Sequence, residues 1–130
     1  MKIVITSGRF DPINKGHIEY LQKAKQLGDF LVCIVNNDNF LIEKNCKPFM
    51  DVFERAAIVK ELKPVDLAFV SIDSDNTINE SIKIIKNTMD YSYPNCEIIF
   101  ANCDRFESEI PETKTCKELN IKIVDNLSGK

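Results

Sequence analysis

The chain has 130 residues, 44% hydrophobic and 28% charged, the proportions of one globular domain; a chain of this size buries about two-thirds of its unfolded surface without disulfide staples. Lys and Arg number 17 against 20 Asp and Glu, and the net charge of −3 argues against nucleic acid or an anionic membrane surface as a partner. Five cysteines with no CxxC pair argue against a disulfide framework or a zinc site, and no apolar run nears the roughly 18 residues that span a bilayer, so a reducing, cytoplasmic setting is expected.

Lys2 to Ser7 is a short apolar run that reads as a buried first strand, too soon interrupted for a signal peptide. After a loop, Ile18, Leu21, Ala24 and Leu27 recur at helical spacing, and Gly28 stands where a left-handed residue would end the helix. Phe30 to Val35 is apolar without alternation, as a central parallel strand is. A polar stretch from Asn36 to Met50 leads to Asp51, with Glu54 three residues later, a capping-box-like start for a helix to about Leu62. Leu67 to Ile72 reads as a third strand, and Ile78, Ile82, Ile85 and Met89 mark one face of a third helix. Cys96 to Ala101 is a fourth strand, Pro111 opens a fourth helix, and Ile121 to Val124 is a fifth strand.

Strand and helix alternate throughout, and antiparallel pairing would not need helical crossovers. The expected fold is therefore α/β: a doubly wound, Rossmann-like sheet of five parallel strands, order 3-2-1-4-5, with helices on both faces, forming one domain over residues 1–130. Such sheets bind ligands at the carboxyl ends of their strands, near the switch point beside strand one.

The loop at that point reads Gly8-Arg9-Phe10-Asp11-Pro12-Ile13-Asn14-Lys15-Gly16-His17, with His17 expected to begin the helix. Two of the four glycines and the one histidine of the chain fall here. Small residues admit close approach, a helix start offers unpaired N–H groups, and an imidazole can donate to a phosphate oxygen. The loop has the makings of an anion site, although it is neither a P-loop nor a GxGxxG fingerprint. The plainer alternative is a histidine serving as a surface cap.

GRFDPINKGH resembles the GxFDxxHxGH signature of the nucleotidylyltransferase superfamily. HIEYLQKAKQLGDFLVCIVNNDNF, the lone Lys44 and ERAAIVKELKPVD are similar to stretches of its glycerol-3-phosphate cytidylyltransferase group, in the same order, over roughly residues 1 to 70. Asn102-Cys103-Asp104-Arg105 resembles the family's Gly-Asp segment. Two departures stand out: Asn14 replaces the first histidine of HxGH, and the closing RTxGIST-like segment has no counterpart beyond Ser128 and Gly129.

The resemblance implies transfer of a nucleoside monophosphate, CMP before AMP, from a nucleoside triphosphate to a small phosphorylated alcohol or sugar, with release of pyrophosphate. An acceptor phosphate oxygen attacks the α-phosphorus in line, so the site must hold two polyanions together and stabilise developing charge. Mg²⁺ held mainly through the phosphates is implied, with no dedicated protein metal ligands, and a homodimer is implied by the family. His17, Lys44 and Asn14 take the catalytic positions; Gly8, Arg9, Phe10, Asp11, Gly16, Asp104 and Arg105 take the nucleotide-binding ones; Arg55 and Lys47 take the acceptor side.

Each has a structural alternative. Lys44 and Lys47 can be solvated loop charges, Arg55 a surface arginine paired with Glu54 or a neighbouring turn, and Asp11 a cap for its own loop. Losing a well-placed donor costs roughly 100–1000-fold, so Asn14 implies a slow enzyme, and Asn14→His is expected to raise pyrophosphate release. The second reading is a degenerate, non-catalytic nucleotide-binding protein of the same fold. A third, a flavodoxin- or receiver-like signalling domain, fits the length and alternation but lacks the paired acidic residues after strand one that a receiver needs to hold Mg²⁺.

Overall fold

The computed structural model describes residues 1–38, 49–75, 77–103, 110–125 and 127. Five strands, β1 (Lys2–Gly8), β2 (Phe30–Val35), β3 (Leu67–Val70), β4 (Glu97–Ala101) and β5 (Lys122–Val124), form one sheet in the order β3-β2-β1-β4-β5. Every neighbouring pair is parallel, with Ile3 opposite Phe30 on one side of β1 and opposite Ile98 on the other. The expected fold class and strand order are those observed.

Among the described residues four helices connect them: α1 (Lys15–Lys25), α2 (Val52–Lys60), α3 (Asn79–Ser92) and α4 (Pro111–Glu118). Val4, Leu31, Cys33 and Val35 pack with Leu21 and Ala24 of α1 and Val59 of α2 on one face. Ile3, Ile5, Val32, Ile34 and Phe100 pack with Ile82, Ile85 and Met89 of α3 and Cys116 of α4 on the other. Consecutive residues of β1 and β2 thus enter opposite cores, which is why both strands read as unbroken apolar runs. No helix among the described residues is long and apolar enough to cross a membrane.

Helix starts follow their capping chemistry. The Asp51 carboxylate accepts the Glu54 N–H at 2.9 Å, and Pro111 opens α4, where its missing N–H has no role. At α3 the N-cap residue is Ile78, which has no side chain to cap with. Asp73, buried in the preceding loop, substitutes by accepting the N–H groups of Glu80 and Ser81 and the Ser81 hydroxyl.

Gly28 corrects one expectation. α1 ends at Lys25, and Gly28 has no left-handed φ; its role is close approach, since an added Cβ would come 2.8 Å from the Lys2 carbonyl oxygen and from Val4 Cγ2. Left-handed backbone occurs instead at Asn95 (φ 69°) and Asn120 (φ 62°), following α3 and α4, where asparagine tolerates it.

Candidate active site

Parallel strands end on one rim, and the chain leaves β1 toward β2 through α1 but reaches β4 from β3 through α3. The topological switch therefore lies beside the carboxyl end of β1. Beneath it, Tyr20 of α1 is buried; its hydroxyl donates to the Ala101 carbonyl at 2.6 Å and accepts the Ser7 N–H at 3.4 Å. That side chain ties the ends of β1 and β4 to α1.

The loop after β1 is shaped by Phe10, which is buried at a left-handed φ of 52°. Its ring packs so closely on Gly8 that an added Cβ there would sit 2.8 Å from Phe10 Cζ, so the glycine is needed for space. The same ring meets the His17 imidazole in an edge (T-shaped) arrangement with centroids 5.1 Å apart.

The helix begins at Lys15 rather than at His17, with Asn14 as N-cap, so His17 is its third residue. From there its ring reaches back. Asn14 Oδ1 accepts the His17 N–H at 3.1 Å, and His17 Nδ1 accepts the Asn14 N–H at 3.1 Å, closing a reciprocal capping box. Asn14, expected only as an uncharged phosphate donor, is thus first a helix cap. Its oxygen is engaged while its Nδ2 amide remains a donor. Gly16 adjoins this bond: a Cβ there would come 3.2 Å from the capping oxygen. Partial burial holds the His17 pKa below the usual histidine range, favouring the neutral ring.

Asp11 does not cap its own loop. Its two carboxylate oxygens accept the N–H groups of Phe49 and Met50, each at 2.8 Å, across 38 residues or more of sequence. Arg55 is not a surface arginine: it is 1% exposed. It donates through Nε to the Met50 carbonyl (3.0 Å) and through Nη1 to the carbonyls of Arg9 (2.7 Å) and Asn36 (2.8 Å), and Nη2 pairs with the Asp38 carboxylate. Four of the guanidinium's five N–H groups are therefore committed within the protein. The Arg9 side chain is exposed at the rim while its carbonyl serves this clamp.

Lys44 and Lys47, within 39–48, and Asp104 and Arg105, within 104–109, lie outside the described residues, as do Ser128 and Gly129. Both described flanks of 39–48 are anchored at the site, Asp38 by Arg55 and Phe49 by Asp11. The sequence reading missed Tyr20, Asp38 and Asp73. Tyr20 was legible, standing one helical turn after His17; the partner of Arg55 was not, because only the fold brings Asp38 to it. Among the described residues no three His, Cys, Asp or Glu side chains are arranged to hold a metal ion. The nearby carboxylates of Asp11 and Asp38 are engaged by N–H and guanidinium donors, so the residues suit a cation carried on a ligand's own phosphates.

A helix N-terminus with imidazole and amide donors stands at the switch point of a parallel sheet, and the molecule is a doubly wound, Rossmann-like α/β protein. Residues 5–124 match the family model described as cytidylyltransferase-like, and the chain belongs to that family. It is 34% identical over 131 residues to the bifunctional protein HldE of a Nitratiruptor species, covering 99% of this chain and 26% of that protein. It is 42% identical over 66 residues to the glycerol-3-phosphate cytidylyltransferase of Bacillus subtilis, covering 51% of each. The match thus spans about a quarter of the first relative and half of the second. In structure it is similar to the lipopolysaccharide core biosynthesis protein from Thermoplasma volcanium, with a TM-score of 0.72 and 28% identity over 96% of this chain and 95% of that one.

Proposed function

We propose that the protein is a nucleotidylyltransferase that moves CMP from CTP to a small phosphorylated alcohol or sugar and releases pyrophosphate, as a cytoplasmic homodimer. The observation that carries the reading is a pair of donors, His17 Nε2 and Asn14 Nδ2, that have no partner among the described residues and stand at the amino end of α1 beside the β1–β4 switch. One relative named for cytidylyl transfer and the family match support the reaction class and CTP as the donor.

In this reading the first turn of α1 binds the triphosphate through its backbone N–H groups and dipole, with His17 and Asn14 donating to phosphate oxygens. Gly8 and Phe10 shape the floor under the nucleotide, Arg9 meets it from the rim, and Gly16 lets phosphate approach the helix start. Asp11 and Arg55 act by holding the loop in place. Lys44 and Lys47 supply the positive charge that the two neutral donors lack, and Asp104 and Arg105 meet the base or ribose. Mg²⁺ bound by the phosphates would offset their charge and help orient the triphosphate. Asn14, a neutral cap where the signature has histidine, favours a second reading, a non-catalytic nucleotide-binding protein.

A thermal-shift panel of CTP, ATP, GTP and UTP with Mg²⁺, followed by pyrophosphate assays with phosphorylated acceptors, separates these readings. CTP at about 100 times its Kd should stabilise by roughly 2.7 kcal/mol and yield Mg²⁺-dependent pyrophosphate. Binding without pyrophosphate would favour the non-catalytic reading, and no shift with any of the four would overturn both.

A further inference from the structure

The capping box constrains the chemistry of the imidazole. A neutral imidazole bears one proton, and a ring nitrogen that accepts an N–H cannot also carry it. His17 Nδ1 accepts the Asn14 backbone N–H, so the proton of the neutral ring is on Nε2, which has no partner among the described residues. Asn14 Oδ1 accepts the His17 backbone N–H in return, and this second bond keeps residues 14 and 17 at the spacing that the first requires. Phe10, edge-on to the ring, limits rotation away from that bond.

We infer that Asn14 is a positioning residue: by closing the box it fixes His17 as a neutral Nε2–H donor, so that the histidine can give a hydrogen bond to an incoming oxygen but cannot take a proton from one at Nε2. The functional consequence rests on the nucleotidylyl-transfer reading; the tautomer itself does not. In the transfer reaction the acceptor phosphate already carries its charge, so no base is needed, and a donor locked in one tautomer meets the triphosphate without rearranging.

The chain's one histidine makes the test direct, because ¹⁵N-labelled protein gives a single imidazole pattern in a long-range ¹H–¹⁵N correlation spectrum. At about pH 8, well above the ordinary histidine range, the wild type should show a pyridine-type Nδ1 and a pyrrole-type Nε2. Asn14→Ala, which removes the cap oxygen but keeps the backbone N–H, should let the box open and shift the tautomer ratio toward Nδ1–H by about fivefold, the effect of a hydrogen bond of about 1 kcal/mol. Asn14→Ser, which caps without an amide, should restore the wild-type pattern. An Nδ1–H ring in the wild type, which needs no variant, overturns the inference. So does an Asn14→Ala spectrum identical to the wild type, or an Asn14→Ser spectrum that fails to recover. Adding CTP and Mg²⁺ to the wild type tests the other reading separately. A correct tautomer that no nucleotide perturbs leaves the positioning role standing and removes the transferase.

Discussion

Gly8, Phe10 and His17 form a short stack in which one missing side chain sets the place of another. Gly8→Ala puts a methyl 2.8 Å from the buried Phe10 ring, which also meets His17. Overpacking of this kind costs typically about 1–3 kcal/mol, so the urea midpoint should fall and the imidazole resonances should shift with it; unchanged resonances would show that the ring does not transmit the strain. The Arg55 clamp is less forgiving. Arg55→Lys keeps the charge but replaces a fork that meets three carbonyls and Asp38 with one ammonium, leaving buried acceptors unpaired at about 1–3 kcal/mol. The expected result is lower stability together with weaker nucleotide binding. Stability lost with affinity intact would separate the clamp from the site. At this scale the histidine and its loop were legible in the sequence, because residue types with few structural uses were crowded together. The duties of Asp11, Asn14 and Arg55 were not legible: each is defined by a partner, two of them distant along the chain.

Elements were legible to within a residue or two wherever the apolar pattern was strong, as for the unbroken run of β2 and the helical periodicity of the buried face of α3 (Ile82, Ile85, Met89). Ends governed by tertiary contacts were not, and Asp73 capping α3 from the preceding loop is an example. The junction of α3 with α4 makes a pH-dependent prediction. Glu112, in the first turn of α4, has its pKa raised by burial and by the nearby carboxylates of Asp73 and Asp75, although it accepts the Ile78 N–H. Below the unfolded-state pKa of about 4.3 the carboxyl is protonated in both states and contributes nothing. As pH rises through the raised native value, the native state resists losing a proton that the unfolded state has already lost, and stability falls. Glu112→Gln keeps an acceptor for Ile78 without the charge. It should match the wild type near pH 4 and exceed it at pH 7 in chemical denaturation. A difference that does not grow with pH would mean that the charge is not what the site resists.

Across the whole molecule, two cores share one sheet, and each holds a thiol that reports on it. Cys33 lies on the α1–α2 face and Cys116 on the α3–α4 face, and burial pushes both pKa values up to about 12, with the Glu112 carboxylate adding to the effect on Cys116. Neither should react with a thiol reagent until its core opens. If the sheet unfolds as one unit, native-state thiol exchange at the two positions should give the same opening free energy. Faster reaction at Cys116 would mean that α4 and β5 open separately. The guanidinium of Arg55 has a parallel consequence for molecular motion. It joins the loop after β1, the end of β2 and the entry to α2, so none of the three can swing out while the others stay. Anything that steadies that loop must also slow the breathing of a helix that does not border the sheet switch. Amide deuteration along α2 therefore becomes a remote gauge of occupancy at the rim.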